Sequence, residues 1–65
     1  MPEVFVYAAE GRSAAQKKGL LQDITSAVVK NFGVDPDQVV VQIVEAPLAM
    51  KAKGGVLFSE RPPKK

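Results

Sequence analysis

The chain has 65 residues, of which 46% are hydrophobic, and it carries a formal net charge of +2. It contains no cysteine and no histidine, which excludes a disulfide and the usual zinc ligand sets. A domain of about 60 residues buries only about 60% of the surface of its unfolded chain, so its core alone is marginal. We therefore expect a single domain, residues 1–65, that folds as an obligate oligomer.

The sequence lacks the patterns typical of secretion, membrane insertion and nucleic-acid binding. The N-terminus has no charged segment followed by an apolar core, and no apolar run approaches the roughly 20 residues of a membrane span. The lysines are dispersed and do not form a basic stripe interleaved with aromatic side chains. These features, with the absence of cysteine, predict a cytoplasmic protein with neither a membrane nor a nucleic-acid partner.

The first half of the chain predicts a strand followed by a long helix. Residues Glu3 to Ala9 are rich in β-branched and aromatic types, and both alternating sets are apolar, which indicates burial on both faces. Ser13 and Gln16 have the spacing of a capping box, so a helix should begin there, and Gly33 is placed to end it. Lys17 is expected on the outer side of this helix, and the inner face carries apolar residues at helical spacing: Leu20, Leu21, Ile24, Ala27, Val28 and Phe32.

The second half predicts a return strand and a short hairpin. After a turn at residues 34–37, Val39 to Ala46 form a second strand, parallel to the first and joined to it by a right-handed crossover. Gly54-Gly55 indicates a hairpin or bulge, and Val56 to Phe58 a short strand against a neighbouring chain. Residues 60–65 are expected to form a flexible tail. The predicted fold class is α/β, a single βαβ unit plus a C-terminal hairpin, whose second sheet face must meet another subunit.

Several short motifs occur in the order found in one enzyme family. They are Pro2 behind Met1, Glu10-Gly11-Arg12-Ser13 with Gln16-Lys17 at the helix start, Glu45 near the end of the second strand, and Gly54-Gly55. In this combination the chain resembles the 4-oxalocrotonate tautomerase family over nearly its whole length. The resemblance implies a homohexamer, built as a trimer of βαβ dimers, in which each dimer has a four-stranded sheet with two helices on one face. It also implies an isomerase that needs no metal or organic cofactor.

The resemblance further implies which residues act on the substrate, a small carboxylic acid in its enol or unsaturated 2-oxo form. Pro2 matches the general base once Met1 is removed. An α-amino group titrates near neutral pH, at about 7.7–8, and burial beside a cation lowers the pKa of the more basic ring amine toward that range. Arg12 matches the first arginine, whose guanidinium grips a carboxylate through two parallel hydrogen bonds. The alternative for Arg12 is a solvent-facing residue beside a helix start.

Two positions depart from the family's pattern. Val40 stands where the family has a second arginine, and Lys51 stands where it has an aromatic residue that helps to exclude water. A dicarboxylate substrate is therefore in doubt. Lys51 is a candidate substrate-binding cation, although lysine lacks the fork of arginine, and the alternative is an exposed loop lysine.

Two other functions stay open at this level. One is a catalytically weak or inactive structural subunit of a homo- or hetero-hexamer, and the other is a small binding module. The enzyme hypothesis also depends on processing, because the nitrogen of Pro2 is an amide, without basic character, for as long as Met1 is attached.

Overall fold

The computed structural model of the chain describes residues 1–60. They form a βαβ unit followed by a short hairpin, which confirms the predicted α/β class. The elements are β1 (Glu3–Ala9), α1 (Ala14–Phe32), β2 (Val40–Ala46), β3 (Ala52–Lys53) and β4 (Val56–Leu57). Short 3-10 turns lie between and after them, at Pro36–Gln38, Leu48–Met50 and Phe58–Glu60.

Strands β1 and β2 pair in parallel, as predicted, in a register that runs from Glu3 opposite Val40 to Ala9 opposite Ala46. Strand β2 begins one residue later than the sequence suggests. The amide of Val39 donates to the carbonyl oxygen of Pro36 at 3.1 Å and so closes the preceding 3-10 turn instead of joining the sheet.

Both predicted ends of α1 are confirmed. The amide of Gln16 donates to Oγ of Ser13 at 3.1 Å, and the amide of Ser13 donates to Oε1 of Gln16 at 3.0 Å, which completes the capping box. Gly33 has a φ of 69° and its amide donates to the carbonyl oxygen of Val29, so the helix ends in a left-handed residue. Within residues 1–60 no helix is long and apolar enough to cross a bilayer.

The inner face of α1 is rotated from the predicted one. Leu21 and Val28 are half-buried, as expected, whereas Phe32 is 69% exposed. Lys17, predicted on the outer side, faces the sheet, and its Nζ lies 3.2 Å from Oε1 of Glu45. The reason is helical spacing, because Lys17 lies one turn before Leu21 and shares its face.

The predicted hairpin at Gly54-Gly55 is confirmed. Both glycines have positive φ, 62° and 81°, which a two-residue turn of type I′ requires at each central position. Strand β4 pairs with β3 of its own chain, and the contact of this segment with a neighbouring chain stays a prediction. Phe58 leaves the strand and begins a 3-10 turn that includes Glu60, the first residue of the predicted tail. Residues 61–65 lie outside the described part, so the tail stays a prediction.

Helix α1 covers one face of the sheet and leaves the other open. The open face carries Phe5, Tyr7 and Val40, whose exposed fractions are 49%, 74% and 38%. Among residues 1–60 none is fully buried, so the described chain has no closed core of its own. The expected burial of β1 on both faces is therefore met on one side only, and the oligomer that would cover the other side stays a prediction.

Candidate functional site

A groove of about 270 Å³ opens between α1 and the sheet, and it runs from Val6 and Ile43 in the middle of the two parallel strands to their carboxyl ends. Ala8 and Ala9 of β1 form part of its floor, Leu20 forms part of its wall, and Arg12 lies in the connection between β1 and α1. Ligands of open parallel sheets bind beyond the carboxyl ends of the strands. The groove therefore occupies the part of this fold where a ligand site is most expected.

The charged side chains that line the groove differ in whether they have a partner of opposite charge. Lys17 and Glu45 form an ion pair, and the side chain of Gln16 is engaged in the capping box. Arg12 is exposed and makes no hydrogen bond or ion pair with any of residues 1–60. Its guanidinium, with five N–H donors in a planar fork, is thus available to an anion. Over the same part of the chain, no group of three or more histidine, cysteine, aspartate or glutamate side chains could hold a metal ion.

Pro2 is held at the opposite end of the sheet. Its carbonyl oxygen accepts a hydrogen bond of 3.0 Å from the amide of Val40, which extends the β1–β2 ladder by one step. Pro2 is half-buried, whereas Met1 is 82% exposed. The valine side chain at position 40 supplies no charge beside the proline. In a single chain the neighbours of Pro2 on the sheet are Glu3 and Val40, which lie opposite each other, and neither of them is a cation.

The structure does not bring Pro2 and Arg12 together within one chain. The whole of β1, seven residues long, separates them. At a rise of about 3.3 Å per residue they lie roughly 20 Å apart. A site that contains both residues requires at least two copies of the chain.

Lys51 lies in a segment that is tied to the Arg12 end of the sheet. The amide of Leu48 donates to Oε2 of Glu10 at 3.1 Å, which fixes the 3-10 turn that precedes Lys51. The Nζ atom of Lys51 lies 5.6 Å from the centre of the Phe58 ring. The sequence predictions include Phe58 only as the end of a short strand and give it no role in a site. Counting outward from the Gly54-Gly55 turn places positions 51 and 58 opposite each other, so the hairpin signal itself contained this pairing.

The comparisons with known proteins agree with the geometry. Residues 2–61 match the Tautomerase family, described as tautomerase enzymes. The "Probable tautomerase" of Bradyrhizobium diazoefficiens is 61% identical over 61 residues, which cover 94% of this chain and 91% of that protein. The "Probable tautomerase" of Lactiplantibacillus plantarum is 38% identical over 60 residues, which cover 92% of this chain and 94% of that protein.

Solved structures show the same fold. A crystal structure of a 4-oxalocrotonate tautomerase homologue has a TM-score of 0.89 and 30% identity, and covers 97% of this chain and 100% of its own. A heterohexamer 4-oxalocrotonate tautomerase from Chloroflexus aurantiacus has a TM-score of 0.82 and 30% identity over 92% of this chain and 97% of its own. The chain belongs to the tautomerase family, as its resemblance indicated. Membership supports a tautomerase or isomerase function.

Proposed function

We propose that the chain, once Met1 is removed, is a tautomerase that uses the Pro2 amine as general base on an enol or unsaturated 2-oxo acid. Arg12 and Lys51 are proposed to bind the acid. The observation that carries this proposal is the unpaired guanidinium of Arg12 in the lining of the groove between α1 and the sheet, in a member of the tautomerase family. The identity of Pro2 supports the required processing, because a small second residue permits removal of Met1.

The proposed chemistry is a proton transfer. The free ring nitrogen takes the proton from the enol oxygen, the carbonyl forms, and the same nitrogen returns the proton to carbon. Nothing is oxidised or reduced, so the step needs no redox cofactor and the amine is restored at the end. General acid–base catalysis of this kind contributes about 100- to 10,000-fold to a rate. The hydrogen bond between Pro2 and Val40 supports the role, since it fixes the ring at the end of a strand.

The two cations have different proposed tasks. A guanidinium binds both oxygens of a carboxylate in one plane, so Arg12 would fix the orientation of the acid. A lysine ammonium is a compact point charge, so Lys51 would stabilise negative charge on an oxygen without imposing a plane. Position 40, beside Pro2, adds no third cation to Arg12 and Lys51, because its side chain is a valine. We therefore propose a monocarboxylate as the substrate in preference to a dicarboxylate.

The proposed site lies between copies of the chain. Pro2 and Arg12 are too far apart in one chain to contact the same small acid, and the open sheet face needs a cover. A homo-oligomer meets both requirements, and a hexamer is the proposed form. The Chloroflexus aurantiacus relative is a heterohexamer, so mixed assembly is a property known for that protein.

Arg12→Met is expected to lower kcat/KM for an enol monocarboxylate about 100-fold, because it removes charged hydrogen bonds worth about 1.5–3 kcal/mol each. Arg12→Lys should recover part of the loss by restoring the charge without the fork. Initial rates of ketonisation, followed by ultraviolet absorbance, measure both effects. Lys18→Met is the matched control, because Lys18 is an exposed cation of α1 outside the groove lining. Equal losses in Arg12→Met and Lys18→Met would contradict a role for Arg12 in binding.

A second candidate function is a subunit that has little activity in a homo-oligomer and works with a different chain. The neutral Val40 beside Pro2 favours this second function, because a cation from a different chain is then needed to bind a second carboxylate. Complete inactivity of the processed homo-oligomer on a panel of enol and unsaturated acids would favour this function over the first.

Val40→Arg is expected to raise kcat/KM for a dicarboxylate about 10-fold relative to a monocarboxylate, because it places a second guanidinium beside Pro2. Steady-state kinetics on a matched pair of acids measure the ratio. Val40→Met controls for the longer side chain without the charge. An unchanged ratio in Val40→Arg would show that position 40 does not face the second carboxylate.

A further inference from the structure

The base of the C-terminal hairpin holds Lys51 and Phe58 face to face. Beyond the pair Ala52 and Leu57, the amide of Phe58 donates to the carbonyl oxygen of Lys51 at 2.8 Å, which adds one more rung to the ladder. Both residues are half-buried, whereas residues 52–56 at the tip are exposed. The pair therefore lies at the sheltered end of the hairpin.

The ammonium of Lys51 is oriented without being neutralised. Its Nζ atom lies 5.6 Å from the ring centre of Phe58, which is inside the range of about 6 Å for a cation–π contact. Within residues 1–60 Lys51 forms no ion pair, in contrast to Lys17, whose charge is matched by Glu45. An aromatic ring accepts none of the three N–H hydrogen bonds in the way a carboxylate does. The donors of Lys51 thus stay available while the ring restricts where its four-carbon chain can move.

We infer that Phe58 is a positioning residue that holds the Lys51 ammonium ready for the carboxylate or oxo oxygen of the substrate, so that the two residues act as one recognition unit. The inference rests on the proposed substrate-binding role of Lys51. Phe58 was not among the residues selected by the family motifs. It is the aromatic neighbour of Lys51 across the hairpin. The expected signature is a dependence of acid binding on the ring that exists only while the lysine is present.

The test is a double-mutant cycle on the processed, assembled protein. The probe is phenylglyoxylate, a 2-oxo acid with no proton to transfer, and its Kd is measured by calorimetry. Lys51→Met should weaken binding about 10-fold, through loss of a charged hydrogen bond. Phe58→Leu keeps an apolar side chain but removes the π face, and should weaken binding about 3-fold. Phe58→Tyr should bind like the wild type, because it keeps the ring.

The last member of the cycle is the double variant, with both Lys51→Met and Phe58→Leu. In the Lys51→Met background, Phe58→Leu should cause no further loss, since the ring then has no cation to hold. Lys53→Met, in the same hairpin, is the matched control and should leave the Kd unchanged. Light scattering and circular dichroism on each variant establish that assembly and helix content are intact, and Phe58→Tyr reports on the ring if Phe58→Leu fails to assemble.

Two results would overturn the inference: unchanged binding in Phe58→Leu, or a loss of the same size with and without Lys51. Because the probe cannot react, the outcome does not depend on the Pro2 chemistry. Failure of the proposed catalysis gives a different result. The protein then does not turn over enol acids, but its binding of phenylglyoxylate still depends on Lys51 and Phe58.

Discussion

Pro2→Ala is expected to lower kcat/KM for ketonisation of an enol acid by at least about 100-fold. Alanine is also a small second residue, so removal of Met1 should continue and the variant keeps a free α-amine. That amine is primary and freely rotating, whereas the proline nitrogen is a more basic secondary amine held in a five-membered ring. The loss therefore measures the basicity and orientation of the ring nitrogen, and ultraviolet absorbance follows it.

Intact-mass measurement is the necessary control for this experiment. Each sample is scored for the fraction of chains that lack Met1, and the rate is expressed per processed chain. Activity should rise in proportion to that fraction in the wild type, because the amide nitrogen of an unprocessed chain cannot take a proton. Full activity in chains that retain Met1 would exclude the Pro2 amine as the base. Equal rates per processed chain in the wild type and Pro2→Ala would contradict a contribution from the ring nitrogen beyond that of any terminal amine.

Tyr7→Asp is expected to abolish the assembled, folded protein at micromolar concentration. Tyr7 is 74% exposed in the single chain and lies on the sheet face that α1 leaves open. Covering such a side chain contributes about 2 kcal/mol per copy, whereas a carboxylate in the same place must lose its hydration. Since no described residue is fully buried within the chain, a separated copy has too little core to persist. Light scattering gives the mass, and circular dichroism gives the helix content.

Ser26→Asp is the matched control for Tyr7→Asp. It introduces the same carboxylate at an exposed position of α1, on the side away from the sheet, and should leave mass and helix content unchanged. A Tyr7→Asp protein that retains the wild-type mass would mean that the open sheet face does not form the contact between copies.

The fold of this chain was largely predictable because its local signals agree with one another. Ser13 and Gln16 define the start of α1, Gly33 defines its end, and Gly54-Gly55 defines the hairpin turn. Each of these depends on backbone geometry that only a few residue types satisfy, so the type at one position is informative. The start of β2 was misplaced by one residue because the competition for the amide of Val39, between the sheet and the 3-10 turn, depends on three-dimensional geometry.

The candidate site was less predictable, for a related reason. Pro2 and Arg12 were selected through family motifs, and the consequence of the predicted strand between them, Glu3 to Ala9, for their separation was not drawn from the sequence. Lys17 was placed on the outer side because the inner face was defined by apolar residues alone, but Glu45 on the facing strand supplies a partner for its charge. The contact between Lys51 and Phe58 depends on hairpin register. Contacts between residues distant in sequence are therefore the part that needed the structure.

The separation of Pro2 from Arg12 by the length of β1 has a genetic consequence if the site forms between copies. Each chain then serves two sites, giving its amine to one and its guanidinium to another. A chain with a defective Arg12 would inactivate a neighbour's site while its own Pro2 continued to work, so the loss falls on a different site from the one that holds its own amine. Two inactive alleles, one altered at each end of the strand, would complement each other in mixed oligomers, in those sites where the two intact ends meet.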